Sequence, residues 1–227
     1  MFANYLTTTY EIADEYKRIL VDSKTAKIKI EPSNDNDTEI VFFQKKKRPY
    51  EYSIQDHTLI IKPIKRKWYS FIKIGIDHSE IKLCVPKSIL DAIIINSTVG
   101  CVDICSISCS KTIDLHINTG KINLENVYCE NFHSKGNTGP VSLSNFIAKE
   151  NISIERNTGK VLLNDCSAPE IFVKTNTGNV CGRLPTNTIF MIKTNTGKIE
   201  IPNNTTVGEI ISAKCEVKTN TGNIKFE

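Results

Sequence analysis

No stretch of this sequence approaches the roughly 18 consecutive apolar residues that a membrane-crossing helix needs, so a helical span is excluded. The opening residues, MFANYLTTTYEIADEYKRIL, lack the basic-then-apolar pattern of a secretory leader, and the expectation is a cytoplasmic chain. Neither G-x-x-x-x-G-K-[ST] nor G-x-G-x-x-G occurs, which removes the common phosphate and dinucleotide motifs. Cys101, Cys105 and Cys109 form the one cysteine cluster, and their spacing matches no C-x2-C zinc or iron–sulfur site. No cofactor and no metal are expected. Aromatic residues are sparse at 7%, and there are only 11 glycines. What remains is ordinary: 227 residues, 40% hydrophobic and 24% charged, enough for one large domain or two small ones.

The few glycines are not scattered. Six of the 11 end the tripeptide Asn-Thr-Gly, at Asn118/Gly120, Asn137/Gly139, Asn157/Gly159, Asn176/Gly178, Asn195/Gly197 and Asn220/Gly222. The steps are 19, 20, 19, 19 and 25 residues, and a degenerate copy ends at Gly100. A fixed period near this length marks a solenoid. Apolar residues stand two and four places after most of the glycines, as in Ile122/Leu124 and Val161/Leu163. They also stand five and three places before the asparagines, as in Ile113/Leu115 and Ile152/Ile154. Alternation on both sides of a fixed turn reads as two short strands meeting at a corner, each with one face inward. Glycine supplies the positive φ that the turn needs, and stacked asparagines can bond along the axis as an amide ladder. The fold class is therefore all-β: a single-stranded parallel β-helix, a β-solenoid of about 20 residues per coil, with an N-terminal β-hairpin cap. Leucine-rich, calcium-binding nonapeptide and hexapeptide repeats lack their signatures here.

The expected organisation is residues 1–90 as capping strands with a first coil, and 91–227 as about seven coils packed on them in one continuous domain. In the first part, Thr25 to Pro32 mirrors Thr196 to Pro202, so the pattern begins early and is interrupted. The interruption reads as strands at 39–44, 50–54, 58–64, 71–76 and 80–85. Thr8-x-x-Glu11 resembles a capping box and predicts a short helix over 9–16. The chain stops half a coil past its last corner, so Ile224 and Phe226 are expected to face a missing neighbour.

Three stretches carry a resemblance: Thr25-Ala26-Lys27-Ile28-Lys29-Ile30-Glu31-Pro32-Ser33, then Ile81-Lys82-Leu83-Cys84-Val85-Pro86, then the Thr-Gly-x-[Ile/Val]-x-[Leu/Ile] coils. Their order is similar to that of the bacterial "putative adhesin" domain family, a β-strand-repeat domain of unknown function. The resemblance covers nearly the whole chain. It implies a β-helical protein of the cell envelope or surface, with no catalytic residues to carry over.

Charge is concentrated. Residues 44–68 hold eight basic side chains against Glu51 and Asp56, +6 in a chain of net +4. Lys45, Lys46, Lys47, Arg48, Lys65, Arg66 and Lys67, with Trp68 and Tyr69, form a candidate patch beside Tyr50 and Tyr52 for an anionic polymer, an unknown protein or a peripheral membrane contact. The same charges also suit solvated hairpin tips. Only two of the eight are arginine, which argues against nucleic acid. Cys166 and Cys215 fall in core slots, and lysines flanking the corners alternate outward. Asp103, Asp114 and Asp165 occupy different places in their coils, so they do not form the grouped carboxylates of a carbohydrate-cleaving β-helix. The expectation is a non-enzymatic structural or interaction surface, the alternative a scaffold that self-assembles through its C-terminal coil.

Overall fold

Period-two alternation becomes strand throughout the described residues, and none of them forms a helix. The computed structural model describes residues 5–35, 37–45, 50–64, 79–87, 90–202 and 213–227. From the amino end come β1 (Tyr5–Ile12), β2 (Arg18–Ser23), β3 (Ala26–Pro32), β4 (Thr38–Lys45), β5 (Tyr50–Gln55), β6 (Thr58–Pro63) and β7 (Ser79–Val85). The repeats supply β8 (Leu90–Val99), β9 (Val102–Cys105), β10 (Cys109–Thr119), β11 (Ile122–Thr138), β12 (Val141–Thr158), β13 (Val161–Ser167), β14 (Glu170–Thr177) and β15 (Val180–Arg183). Four more follow: β16 (Thr188–Thr196), β17 (Ile199–Glu200), β18 (Ala213–Thr221) and β19 (Ile224–Phe226). All belong to one curled sheet. The all-β expectation holds.

Within the repeats, pairing is parallel. Ile122 pairs with Val141, Val141 with Val161 and Val161 with Val180, steps of 19, 20 and 19 residues. Side chains predicted to point inward, among them Leu115, Leu124, Phe132, Ile154, Leu163 and Val173, are buried. Each such burial removes enough apolar surface to stabilise the fold by about 1.5–3 kcal/mol. Together they make one core running the length of the stack.

The corner glycines are set by close approach as much as by φ. A Cβ on Gly120, where φ is +150°, would lie 1.7 Å from the carbonyl oxygen of Gly100. The same contact recurs up the stack, at 2.0 Å from Gly139 to the Gly120 carbonyl oxygen and at 2.1 Å from Gly159 to that of Gly139. Backbone bonds draw the levels together there: the Gly139 amide donates to the Thr158 carbonyl and the Gly159 amide to that of Thr177, both at 2.9 Å. The positive φ read from the sequence is present at five of the six Asn-Thr-Gly glycines, and close approach adds a second reason for glycine. Gly178 shows the second alone, since it makes the same contact, 2.0 Å to the Gly159 carbonyl oxygen, without a left-handed φ. A second corner comes six residues later, at Ser106, Asn126, Asn145 and Asp165, whose φ lies between 49° and 55°. Asn and Asp tolerate this left-handed conformation because their short polar side chains bond locally.

At the amino end, β4 runs antiparallel to both β7 and β1, and β5 antiparallel to β6. The helix predicted over 9–16 is not formed: Tyr10 pairs with Ile40 in β4, and its ring meets Phe42 edge-on at 5.8 Å. A free strand edge offers a whole row of backbone partners, which outweighs one local capping signal. Further in, β2 and β3 lie parallel between β6/β7 on one side and β8/β9 on the other. The strands expected at 39–44, 50–54, 58–64 and 80–85 are found; the one at 71–76 lies outside the described residues.

The carboxyl end corrects the expected coil order. β18 pairs with β14 on one side and β16 on the other, and β19 likewise lies between β15 and β17. The last coil in sequence is thus second from the end in space. Ile224 and Phe226 are interior. Among the described residues the outermost level is β16/β17, where Ile189, Met191, Ile199 and Ile201 are 42%, 49%, 46% and 41% exposed. The step that joins these two levels, 25 residues from Gly197 to Gly222, is the longest between repeats.

Candidate functional site

The predicted basic patch is hardly in view. Lys46, Lys47, Arg48, Lys65, Arg66, Lys67, Trp68 and Tyr69 lie outside the described residues, and of Lys45 only its strand register opposite Tyr5 is described. Two of the neighbouring aromatics serve the core instead. Tyr50 is buried with its hydroxyl 3.0 Å from Ser23 Oγ, and Tyr52 packs edge-on against Tyr10 at 5.1 Å.

The corner asparagines divide into two groups. Asn195 Nδ2 donates to Asn220 Oδ1 at 3.4 Å, Asn220 to Asn176 at 3.1 Å, and Asn176 to Asn157. The amide ladder is real over these four, and it follows the spatial order of the coils. It ends at the Gly159 corner, with Asn157 as its last acceptor, which corrects the expectation of one ladder through every Asn-Thr-Gly corner. At the Gly139 and Gly120 corners the glycine backbones still stack, yet the side-chain amides of Asn137 and Asn118 have no hydrogen-bond partner among the described residues. Backbone spacing holds the levels together there without the side chains. Two shorter ladders run at other corners, Asn145 to Asn126 at 3.1 Å and Asn151 to Asn131. The alternation expected of the flanking lysines holds, with Lys121, Lys160, Lys174, Lys193, Lys198 and Lys218 all exposed.

Where the long ladder stops, the corner opens into a groove of about 600 Å³. Its walls come from successive levels: Asp22, Ser23 and Lys24 of the β2 turn, Asn96, Ser97 and Thr98 of β8, His116 and Asn118 of β10, and Lys135, Gly136 and Asn137 of β11. Pro63 closes one side. Three inter-strand spacings make this roughly 14 Å along the axis.

Three polar features converge there. Asn96 Nδ2 donates to Asp22 Oδ1 at 2.8 Å and holds that carboxylate. Ser97 is 6% exposed, and its hydroxyl has no partner among the described residues. Beneath Gly136 lies the guanidinium of Arg156, which is 4% exposed. A Cβ on Gly136 would lie 1.9 Å from the Ile117 carbonyl oxygen and 2.6 Å from Arg156 Nη1, so the neighbouring backbone first, and the guanidinium second, leave room for glycine alone. Arg156 donates to Ser134 Oγ at 2.7 Å and to the Glu155 carbonyl at 3.2 Å, with no carboxylate partner among the described residues. Burial pushes its pKa down to about 10. The inward set was read at five and three places before each asparagine. One further step of the same alternation, to the residue directly before it, is the signal that finds Arg156.

The remaining acids are engaged separately. Asp114 Oδ1 lies 3.1 Å from His116 Nε2 but has no hydrogen-bond partner among the described residues, Asp103 lies 3.7 Å from Lys27, and Asp165 takes a two-pronged contact from Arg183 at 2.7 and 2.8 Å. The Arg183 guanidinium holds the Asp165 carboxyl below its ordinary range. All eight cysteines are free thiols, and Cys109, Cys129, Cys166 and Cys215 are buried with pKa values pushed up to about 12 by desolvation.

Residues 16–227 match the family model Toastrack DUF4097. The chain belongs to the Toastrack family. Among solved structures, it is similar to a putative adhesin from Bacteroides fragilis NCTC 9343, with 17% identity over 99% of this chain and 97% of that one, and a TM-score of 0.51. A putative adhesin from Parabacteroides distasonis ATCC 8503 shares 14% identity over 99% and 98%, with a TM-score of 0.47. No curated protein matches the chain. The Toastrack assignment agrees with an all-β, solenoid-like architecture.

Proposed function

We propose that this Toastrack chain is a non-enzymatic, adhesin-like interaction surface at the bacterial envelope that holds an anionic polymer. In this reading the whole chain is one continuous domain: a parallel β-helix of about 20 residues per coil, capped by the strands of residues 1–90. The observation that carries the proposal is the stacked corner. Gly100, Gly120, Gly139, Gly159, Gly178, Gly222 and Gly197 lie one above another in that order, each too close to the next backbone for a side chain. Such a stack is stiff, and it repeats its surface groups at a fixed spacing suited to an extended partner. The basic segments Lys45–Arg48 and Lys65–Lys67, with Trp68 and Tyr69, provide the long-range attraction. Retention on a heparin resin and on anionic vesicles tests this. The full chain is expected to bind and elute with salt, and neutralising both segments to glutamine is expected to abolish binding. Retention that ignores those changes removes the patch from the proposal.

A second reading rests on the outermost level. β16 and β17 present an unpaired edge among the described residues, with Ile189, Met191, Ile199 and Ile201 exposed on it. Two copies joined isologously through this edge would form a closed dimer. Light scattering of the full chain against Met191→Glu separates the two readings, since a strict monomer at high concentration rejects assembly.

A further inference from the structure

The groove beside the corner is elongated, its wall mostly carbon with amides, hydroxyls and two lysines set into it, and its charge is biased positive. Asn118 and Asn137 occupy ladder positions but are not bonded into the ladder. Ser97 brings a buried hydroxyl with no acceptor of its own among the described residues. An unmet buried donor is destabilising by about 1–3 kcal/mol, and a bound acceptor would relieve it. Beneath the floor, the Arg156 guanidinium meets only a hydroxyl and a carbonyl. Its charge therefore reaches the groove with little local neutralisation, through a low-dielectric wall that screens it weakly. Lys24 and Lys135 stand at opposite ends of the groove, both exposed and free of ion pairs among the described residues. Against these three cations the lining carries one carboxylate, Asp22, already held by Asn96; Asp114, 3.1 Å from His116, is not part of the lining.

We propose that this groove binds a linear acidic saccharide, its carboxylates at Lys24 and Lys135 and its hydroxyls on Asn118, Asn137, Thr98 and Ser97. The inference rests on the anionic-polymer reading above and moves the specific contact from the basic patch to the corner. Amides and hydroxyls repeated once per coil suit a chain whose hydroxyls recur at regular intervals. Single lysines separated by neutral amides suit carboxylates better than they suit phosphates, which arginine forks hold bidentately.

The test is calorimetric titration of the full chain with a uronate-containing hexasaccharide, a neutral hexasaccharide of glucose and inorganic sulfate. Four proteins are compared: the unaltered chain, Lys24→Gln/Lys135→Gln, Asn118→Asp, and the chain with both basic segments neutralised. Lys24 and Lys135 are exposed, so their substitution leaves the core intact, and a thermal melt confirms it. The uronate chain is expected to bind, the neutral one not, and the groove variant to weaken binding at least about tenfold, the loss expected from charge-assisted hydrogen bonds. Asn118→Asp, which adds a charge midway along, is expected to abolish it. Equal binding of the neutral saccharide, or displacement by sulfate at equal concentration, overturns the proposal. Should only the neutralised segments lose binding, the groove assignment falls and the broader reading stands. Uronate binding that survives both sets of changes removes both.

Discussion

Ile224 lies in register with Val180, 44 residues before it, while Ile199 pairs against its other side. The carboxyl-terminal strand is therefore clamped between two levels rather than added to a free end. Phe226 follows it inward, with its ring 5.1 Å from that of Phe190. Phe226→Ala is expected to destabilise the fold by about 3–5 kcal/mol, as for other buried aromatics. Ile199→Ala, on the exposed outer level, is expected to cost under about 1 kcal/mol. Urea unfolding followed by circular dichroism checks both. Similar losses at the two sites would show that the last coil is not interior.

Gly120 has φ at +150° with its would-be Cβ 1.7 Å from the Gly100 carbonyl oxygen. Backbone on both sides leaves nothing flexible to move. Gly120→Ala is expected to reduce stability by about 4 kcal/mol or more, seen as loss of soluble protein or a large fall in the urea midpoint. Lys121→Ala, one residue on and exposed, is the control and is expected to change stability by no more than about 0.5 kcal/mol. A mild Gly120→Ala phenotype would mean that the corner can relax.

Much of this architecture was legible because a coil repeats its constraints. Asn-Thr-Gly marks the tight corner at each level, and the apolar pairs around it mark the inward face, so both could be read from spacing. Coil order could not, because parallel stacking constrains register within a level but not which level comes next. A hint existed nonetheless. Lys174-Thr175-Asn176-Thr177-Gly178-Asn179 recurs identically as Lys218 to Asn223, and these two copies are the ones that stack. Asn179 Oδ1 accepts from the Asn223 amide at 2.9 Å, and Asn223 Oδ1 from that of Lys198 at 2.9 Å. Lys198, on the outer level, has no further coil among the described residues to receive such a bond. The groove was illegible for a different reason: it exists where the ladder lapses and where Gly136 lies against both the Ile117 carbonyl and Arg156, and a missing side chain leaves no motif.

Four buried thiols make stability depend on alkaline pH. Cys109, Cys129, Cys166 and Cys215 keep their protons in the fold up to about pH 12, because burial penalises the thiolate. In the unfolded chain the same thiols ionise near pH 8.5. Above that value the native state binds more protons than the unfolded one, so stability falls as pH rises. The loss is expected to begin near pH 9 and steepen towards pH 11. Replacing all four with alanine or valine is expected to flatten that limb of the urea-midpoint curve. In the unaltered chain, alkylation at pH 8 is expected to label the half-buried Cys101, Cys105 and Cys181 first. Labelling of Cys166 or Cys215 at the same rate would contradict their burial.

Arg156 tests whether its charge serves the groove or the fold. Burial lowers its pKa from 12.5 to about 10, so the folded state disfavours the charged form. The guanidinium nonetheless stays protonated at neutral pH, and the penalty is constant at every pH below 10. A pH scan in that range cannot reveal it, but a substitution can. Methionine fills a similar volume without charge and adapts to irregular space. It leaves the Ser134 hydroxyl without a partner, a loss of about 1 kcal/mol. Relief from desolvating an unpaired charge is expected to exceed that, so Arg156→Met should raise unfolding stability by about 1–3 kcal/mol. Combining it with Ser134→Ala should raise stability further by restoring the hydrogen-bond balance. Uronate affinity should fall in both. A destabilised Arg156→Met with unchanged affinity would make Arg156 a structural brace between Ser134 and the β12 backbone, and the groove would lose its buried cation.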